Sequence, residues 1–318
     1  MIIDSHGRFT TAPRALGKWR ERQIRAFESS RFRVLPNEFI VDDDEEIVAA
    51  IERGGHGRGI DLTLLSLGPD TFGHSGDEIT NLQWAEVSNE LISRVCGLFP
   101  GRFAGVCRLP QTSGDALESS IRRSAEELER CVTELEFVGC LLEPDLSDGS
   151  RQAPPPTDEV YYPLYEKMVE LDVPATVLGD DAAALAQLRG STLFADFPAL
   201  RLILPHGGGM PSQGRPLGEA LPRNVFFGTG VQDKREMELL IDIVPAENVL
   251  LVSDMADTGG ADRRVDDAKA ILDSIDSISD HDRSAIYGAN ALRVFPRLDR
   301  LPRNGIDELA RTAHGQDL

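Results

Sequence analysis

The sequence predicts an α/β fold, a single (β/α)8 TIM-type barrel, on three observations. Eight short aliphatic and β-branched runs recur along its 318 residues. These runs are nearly continuous rather than alternating, as strands covered on both faces of a parallel sheet require. Helical patterns separate them, and that alternation favours a closed barrel over an open doubly wound sheet.

The first run, Met1–Ser5, leads straight into His6-Gly7-Arg8. Gly59–Ser66 is the second, followed by a helix over Thr80–Phe99 with Leu82, Val87, Leu91, Ile92 and Val95 at three-to-four spacing. Phe103–Leu109 is the third. The helix after it, Ala116–Leu135, is charged on one face and carries Leu117, Ile121, Leu128 and Val132 on the other. Phe137–Leu142 is the fourth run, and Pro156-Thr157-Asp158 caps a helix over Glu159–Leu171. Val173–Val177, Leu200–Pro205, Val225–Gly228 and Val249–Ser253 complete the strands, with helices over Lys234–Ile243 and Asp280–Asn290. Residues 178–200 look short for a barrel unit. The barrel is expected over 1–300, with an insertion over its mouth at 28–58 that includes the acidic run Asp42–Glu46, and with 301–318 as a C-terminal arm.

Asp and Glu outnumber Lys and Arg by 53 to 33, a formal net charge of −20. Such a surface repels polyanions, which argues against nucleic acid and anionic membranes as partners. An anionic substrate must instead be met by local positive charge, so inward-pointing arginines matter. No apolar run approaches the ~20 residues of a membrane span, and the chain starts on a strand rather than a signal sequence; a cytoplasmic location is expected. Cys96, Cys107, Cys131 and Cys140 show no CxxC spacing. They read as free thiols rather than as a zinc knot or a disulfide framework.

In a barrel of this kind chemistry sits at the C-terminal ends of the strands. Those ends offer His6 and Arg8, Ser66, Glu143, Leu178, His206, Thr229 and Asp254. Residues i and i+2 of a strand share a face, so His6 and Arg8 point the same way. His206 precedes Gly207-Gly208-Gly209, where the backbone can approach a ligand closely and leave amides free to donate; a tight turn around a structural histidine is the other reading. Asp254 ends the eighth strand as an inward carboxylate or as a helix N-cap. Glu143 reads as a substrate contact or a loop carboxylate, and His74 as a loop histidine able to fold over the mouth.

Taken together, His6-Gly7 with Thr10-Thr11-Ala12-Pro13, Leu109-Pro110-Gln111, Tyr162-Pro163-Leu164-Tyr165, Pro205-His206-Gly207-Gly208-Gly209, Ser253-Asp254 and Gly288-Ala289-Asn290 carry a resemblance. The chain resembles the amidohydrolase-related (amidohydrolase 2) family, particularly the branch that contains 4-oxalomesaconate hydratase, with aromatic decarboxylases as more distant relatives. The resemblance implies a barrel of the metal-dependent hydrolase type that adds water across a double bond of a polycarboxylate from aromatic ring cleavage. It implies His6 and Asp254 as residual zinc ligands and His206 as the acid–base histidine. It also exposes departures: Arg8 stands where a second metal-binding histidine belongs, and Leu178 where a third does.

Two function classes follow. One is a lyase or hydratase-like enzyme for a small carboxylated molecule. His206 and Asp254 are its catalytic residues, Arg8 is a carboxylate clamp in place of the metal, and His74, Glu143, Gly207 and Gly208 are substrate contacts. No cofactor is expected, beyond a residual divalent metal such as zinc. Arg8 is expected to pair with Asp254, because the first and eighth strands are neighbours in a closed barrel. The other class is an inactive paralogue, a subunit or binding module beside an active partner. Either a homo-oligomer or a heteromer with such a paralogue is the expected assembly.

Overall fold

The computed structural model describes residues 1–9, 44–54, 59–67, 78–112, 114–144, 154–209, 223–231, 233–253 and 265–301. Eight strands lie in sequence order in one sheet, each parallel to the next. They are β1 (Ile3–Phe9), β2 (Leu62–Leu67), β3 (Phe103–Arg108), β4 (Gly139–Leu142), β5 (Ala175–Val177), β6 (Leu202–Leu204), β7 (Val225–Gly228) and β8 (Val249–Leu250). The amide of Ser5 donates to the carbonyl of Leu251 at 2.8 Å, joining the last strand to the first. The expected barrel is the observed one.

Ten α-helices are described: α1 (Asp44–Gly54), α2 (Glu78–Leu98), α3 (Leu117–Glu134), α4 (Tyr162–Leu171), α5 (Asp181–Arg189), α6 (Leu193–Asp196), α7 (Lys234–Ile243), α8 (Val265–Asp273), α9 (Asp280–Ser284) and α10 (Asn290–Val294). Two of them change the sequence reading. Residues 178–200 hold both α5 and α6; α5 is alanine-rich, so its apolar face contrasts little with the rest and gives a weak periodic signal. Asp180 caps it, accepting from the amides of Ala182 and Ala183. Part of the segment read as an insertion is α1, whose Ile47, Ala50 and Ile51 are buried in the core shared by the barrel and its helices. An Arg94–Asp44 ion pair ties it to α2. The rest of 28–58 and the arm beyond residue 301 lie outside the described residues.

Inside the barrel, Ile3, Leu62, Leu64, Ala104, Val106, Leu141, Ile203, Phe226 and Leu250 form one apolar cluster, joined by Phe295 and Leu298 from the C-terminal helical turns. Phe295 lies against the start of β4, where a Cβ on Gly139 would come within 3.1 Å of its ring. These residues plug the N-terminal end, which leaves the opposite rim as the mouth.

β1 departs from expectation in a way that positions the site. It continues to Phe9, so His6 and Arg8 lie within the strand rather than beyond it. Ile3 faces the interior, whereas Phe9 packs outside with the helices. Strict alternation from Ile3 would turn His6 and Arg8 outward. The pairing with β2 slips by one residue between Asp4 and Gly7, and this bulge reverses the phase. A Cβ on Gly7 would lie 2.2 Å from Thr63 Cγ2 on the outer face, which leaves His6 and Arg8 on the inner one.

The four cysteines are free. Burial pushes the thiols of Cys107, Cys131 and Cys140 up, and that of Cys96 up to about 12. Native protein is therefore expected to be inert to a thiol-titrating disulfide reagent at pH 8, with four equivalents reacting after denaturation. Rapid native labelling of any of them would contradict this packing.

Candidate active site

Among the described residues three pairs of side chains meet the mouth, each fixed from behind. The first is on β1. His6 and Arg8 are both buried, and Arg8 Nε donates to His6 Nε2 at 3.3 Å. Just before the bulge, the carboxylate of Asp4 accepts from the amides of His6 (3.2 Å) and Ser253 (3.0 Å) and from the Ser253 hydroxyl (2.6 Å). Asp4 thus fastens the bulge to the chain leaving β8, and the aspartate in an otherwise apolar run was the signal for it. Asp254 follows directly; it and His74 lie outside the described residues, and with Asp254 the expected Arg8–Asp254 pair.

The second pair is His206 with Asp181. His206 follows β6 and is half-buried, held in a bridge to Thr229 beyond β7. Its Nδ1 lies 3.5 Å from Asp181 Oδ1, while Asp181 Oδ2 accepts from the amides of His206 (2.7 Å) and Gly208 (3.2 Å). Asp181 is the first residue of α5 and is itself buried. Gly207, Gly208 and Gly209 all take left-handed φ values, 68°, 71° and 60°. A Cβ at Gly208 would strike Phe227, and one at Gly209 the backbone of Ala182. The close approach these glycines permit is therefore to β7 and α5, and it brings the Asp181 carboxylate under the histidine.

The third pair is Arg108 with Glu143. Val106 and Leu141 line the interior, so Arg108 and Glu143, two residues further along β3 and β4, point into the mouth. Arg108 Nη1 stands 3.8 Å from Glu143 Oε1, with both side chains largely buried. Arg108 was missed because a strand-terminal arginine reads as a solvated end. Leu178, beyond β5, belongs to the apolar inner cluster.

A zinc site needs about three N, O or S ligands. Among the described residues no group of three or more His, Cys, Asp or Glu is placed to hold a metal ion. The residues that would surround one do not suit it. His6 Nε2 accepts from the Arg8 guanidinium, Arg8 is a cation without a lone pair, and Leu178 offers no donor. The donor set present at the described rim does not fit zinc.

Comparison with known proteins places this architecture. The family model described as Amidohydrolase matches residues 3–297. The chain is 42% identical over 340 aligned residues to 2-keto-4-carboxy-3-hexenedioate hydratase of Sphingobium sp. (strain NBRC 103272 / SYK-6), covering 94% of this chain and 97% of that one. The crystal structure of 4-oxalomesaconate hydratase from Rhodopseudomonas palustris is 34% identical and superposes with a TM-score of 0.84, over 99% of this chain and 100% of the other. A 2,6-dihydroxybenzoate decarboxylase from Rhizobium, at 21% identity and a TM-score of 0.62 over 94% and 99%, shares the fold. Among the described residues no helix is long and apolar enough to cross a membrane.

Proposed function

The chain belongs to the amidohydrolase family, and we propose that it is a lyase of the hydratase kind, adding water to or removing it from a small unsaturated polycarboxylate. The observation that carries this reading is the His206–Asp181 pair at the mouth, in a chain that matches hydratases over nearly its whole length. Hydration forms a C–O bond at one carbon of the double bond and a C–H bond at the other. His206 takes a proton from the attacking water, and the resulting imidazolium returns it to the neighbouring carbon; the reverse sequence is dehydration. Asp181 holds the backbone of His206 and Gly208 and sets its carboxylate 3.5 Å from Nδ1 of the imidazole. Negative charge builds on the conjugated carboxylate or keto group as the C–O bond forms, and the Arg8 guanidinium faces that charge. His6 orients Arg8 through Nε2, and Asp4 holds the bulge beneath both.

The test is direct. Purified protein incubated with 4-oxalomesaconate should bleach the conjugated absorbance, with the hydrated carbon seen by NMR. Because the donors at the described rim do not suit zinc, dialysis against EDTA should leave the rate within about twofold, whereas an enzyme using metal as Lewis acid loses nearly all of it. Abolition by EDTA with recovery on added zinc would return the chain to a metal mechanism. The replacement of both expected imidazoles by Arg8 and Leu178 favours a second reading, a non-catalytic subunit beside an active paralogue. No turnover by the protein alone, with activity on adding such a partner, would select it.

A further inference from the structure

We propose that Arg108 is a second carboxylate-recognition residue, which together with Arg8 makes the mouth selective for a dicarboxylate; the inference deepens the hydratase reading of this mouth and rests on it. Arg108 is only 6% exposed, and its Nη1 is fully buried without a hydrogen-bond partner among the described residues. The neighbouring anion, Glu143 Oε1, is 3.8 Å away, beyond hydrogen-bonding distance. A guanidinium cannot shed its charge to escape burial. A buried donor left unmade is costly, more so when charged.

The gap is held open from both sides. Asn89 clamps the backbone of Arg108, its Oδ1 accepting from the Arg108 amide at 2.8 Å and its Nδ2 donating to the Arg108 carbonyl at 3.0 Å. Glu127 in turn accepts from Asn89 at 2.8 Å and from Arg130 at 2.8 Å. Across the gap, Gln111 grips the backbone of Glu143 in the same way, accepting from its amide at 2.8 Å and donating to its carbonyl at 3.2 Å. Both strand ends are thus held in place by side chains that grip their backbone. Glu143 therefore offsets part of the guanidinium charge without taking up the Nη1 donor. A carboxylate, planar and able to accept two parallel N–H bonds, is the ligand chemistry that Arg108 suits. Arg8 faces the same mouth from β1, two strands and thus about 10 Å away along the sheet. Two guanidiniums so placed match two carboxylates of one small molecule.

Calorimetric titration of the full chain with trans,trans-muconate and with sorbate tests this. The two share a six-carbon diene, and sorbate has a methyl group where muconate has its second carboxylate. The natural protein should bind muconate about tenfold more tightly than sorbate, as one charge-assisted hydrogen-bonded contact allows. Arg108→Gln should erase the preference while leaving sorbate affinity within about twofold. The melting temperature should fall, because Glu143 loses the cation 3.8 Å away, so affinities are compared at a temperature where the variant is folded. Should that variant not fold, Arg108→Lys decides: it keeps the charge but loses the planar fork, and should weaken muconate several-fold more than sorbate. A protein that hydrates 4-oxalomesaconate, yet keeps its muconate preference in the variant that folds, overturns the inference and leaves the hydratase reading standing. A natural protein that binds neither diene and turns over no polycarboxylate overturns both.

Discussion

Replacing His206 by Asn should lower kcat for the hydratase reaction by about 10²–10⁴-fold, the usual contribution of a positioned acid–base group. Stability should change little. His206 stands half-exposed on the rim, and its amide, which the substitution keeps, makes the 2.7 Å bond to Asp181. Asp181→Asn should give a smaller loss, in kcat more than in KM, since the amide still fills the same pocket under Gly208 but loses the charge beside the imidazole. A purely structural Asp181 would lower the melting temperature and leave kcat of the folded variant unchanged. If His206→Asn unfolds the protein, or retains more than a tenth of natural kcat, the acid–base assignment is wrong.

Glu127→Ala should cost about 2–3 kcal/mol of stability, read from urea midpoints, because it leaves the buried Asn89 amide without its acceptor. Glu127 lies behind β3 with its side chain 3% exposed. Its two oxygens accept from Asn89 Nδ2, from Arg130 Nε and Nη2, and from Cys131 Sγ. Its carboxylate raises the pKa of Arg130; loss of Glu127 leaves the buried Asn89 amide without its acceptor, while Arg130 keeps Glu90 as a carboxylate partner. Glu127→Gln should recover part of the loss, since it keeps an acceptor for Asn89. Asn89 carries the backbone of Arg108, so the same variants should weaken dicarboxylate binding at permissive temperature. A Glu127→Ala protein within about 1 kcal/mol of the natural one, with unchanged affinity, would show that the network neither supports the fold nor holds the arginine.

Much of the architecture was legible in the sequence, because strands covered on both faces must be apolar at nearly every position, and that is a local property of the chain. The run Val225–Gly228 and the helix Lys234–Ile243 appear in the structure with the bounds the sequence suggests. The pairing of His6 with Arg8 follows from a spacing of two residues within one strand, and the contact at 3.3 Å is its outcome. Local spacing cannot tell which face such a pair occupies. That was decided by the slip between Asp4 and Gly7, itself a consequence of how β1 packs on β2 and is pinned by Asp4 to Ser253. Asp181 and His206, 25 residues apart, meet only because a left-handed glycine turn folds onto the start of α5. Arg108 and Glu143 face one another because neighbouring parallel strands end at the same rim, each gripped by an amide side chain, Asn89 and Gln111, from outside its own strand. The chain's own composition therefore determines the barrel and the rim on which its polar residues gather. Which of those residues touch is decided by strand register and helix docking, since contacts between groups distant in sequence exist only after the barrel has closed.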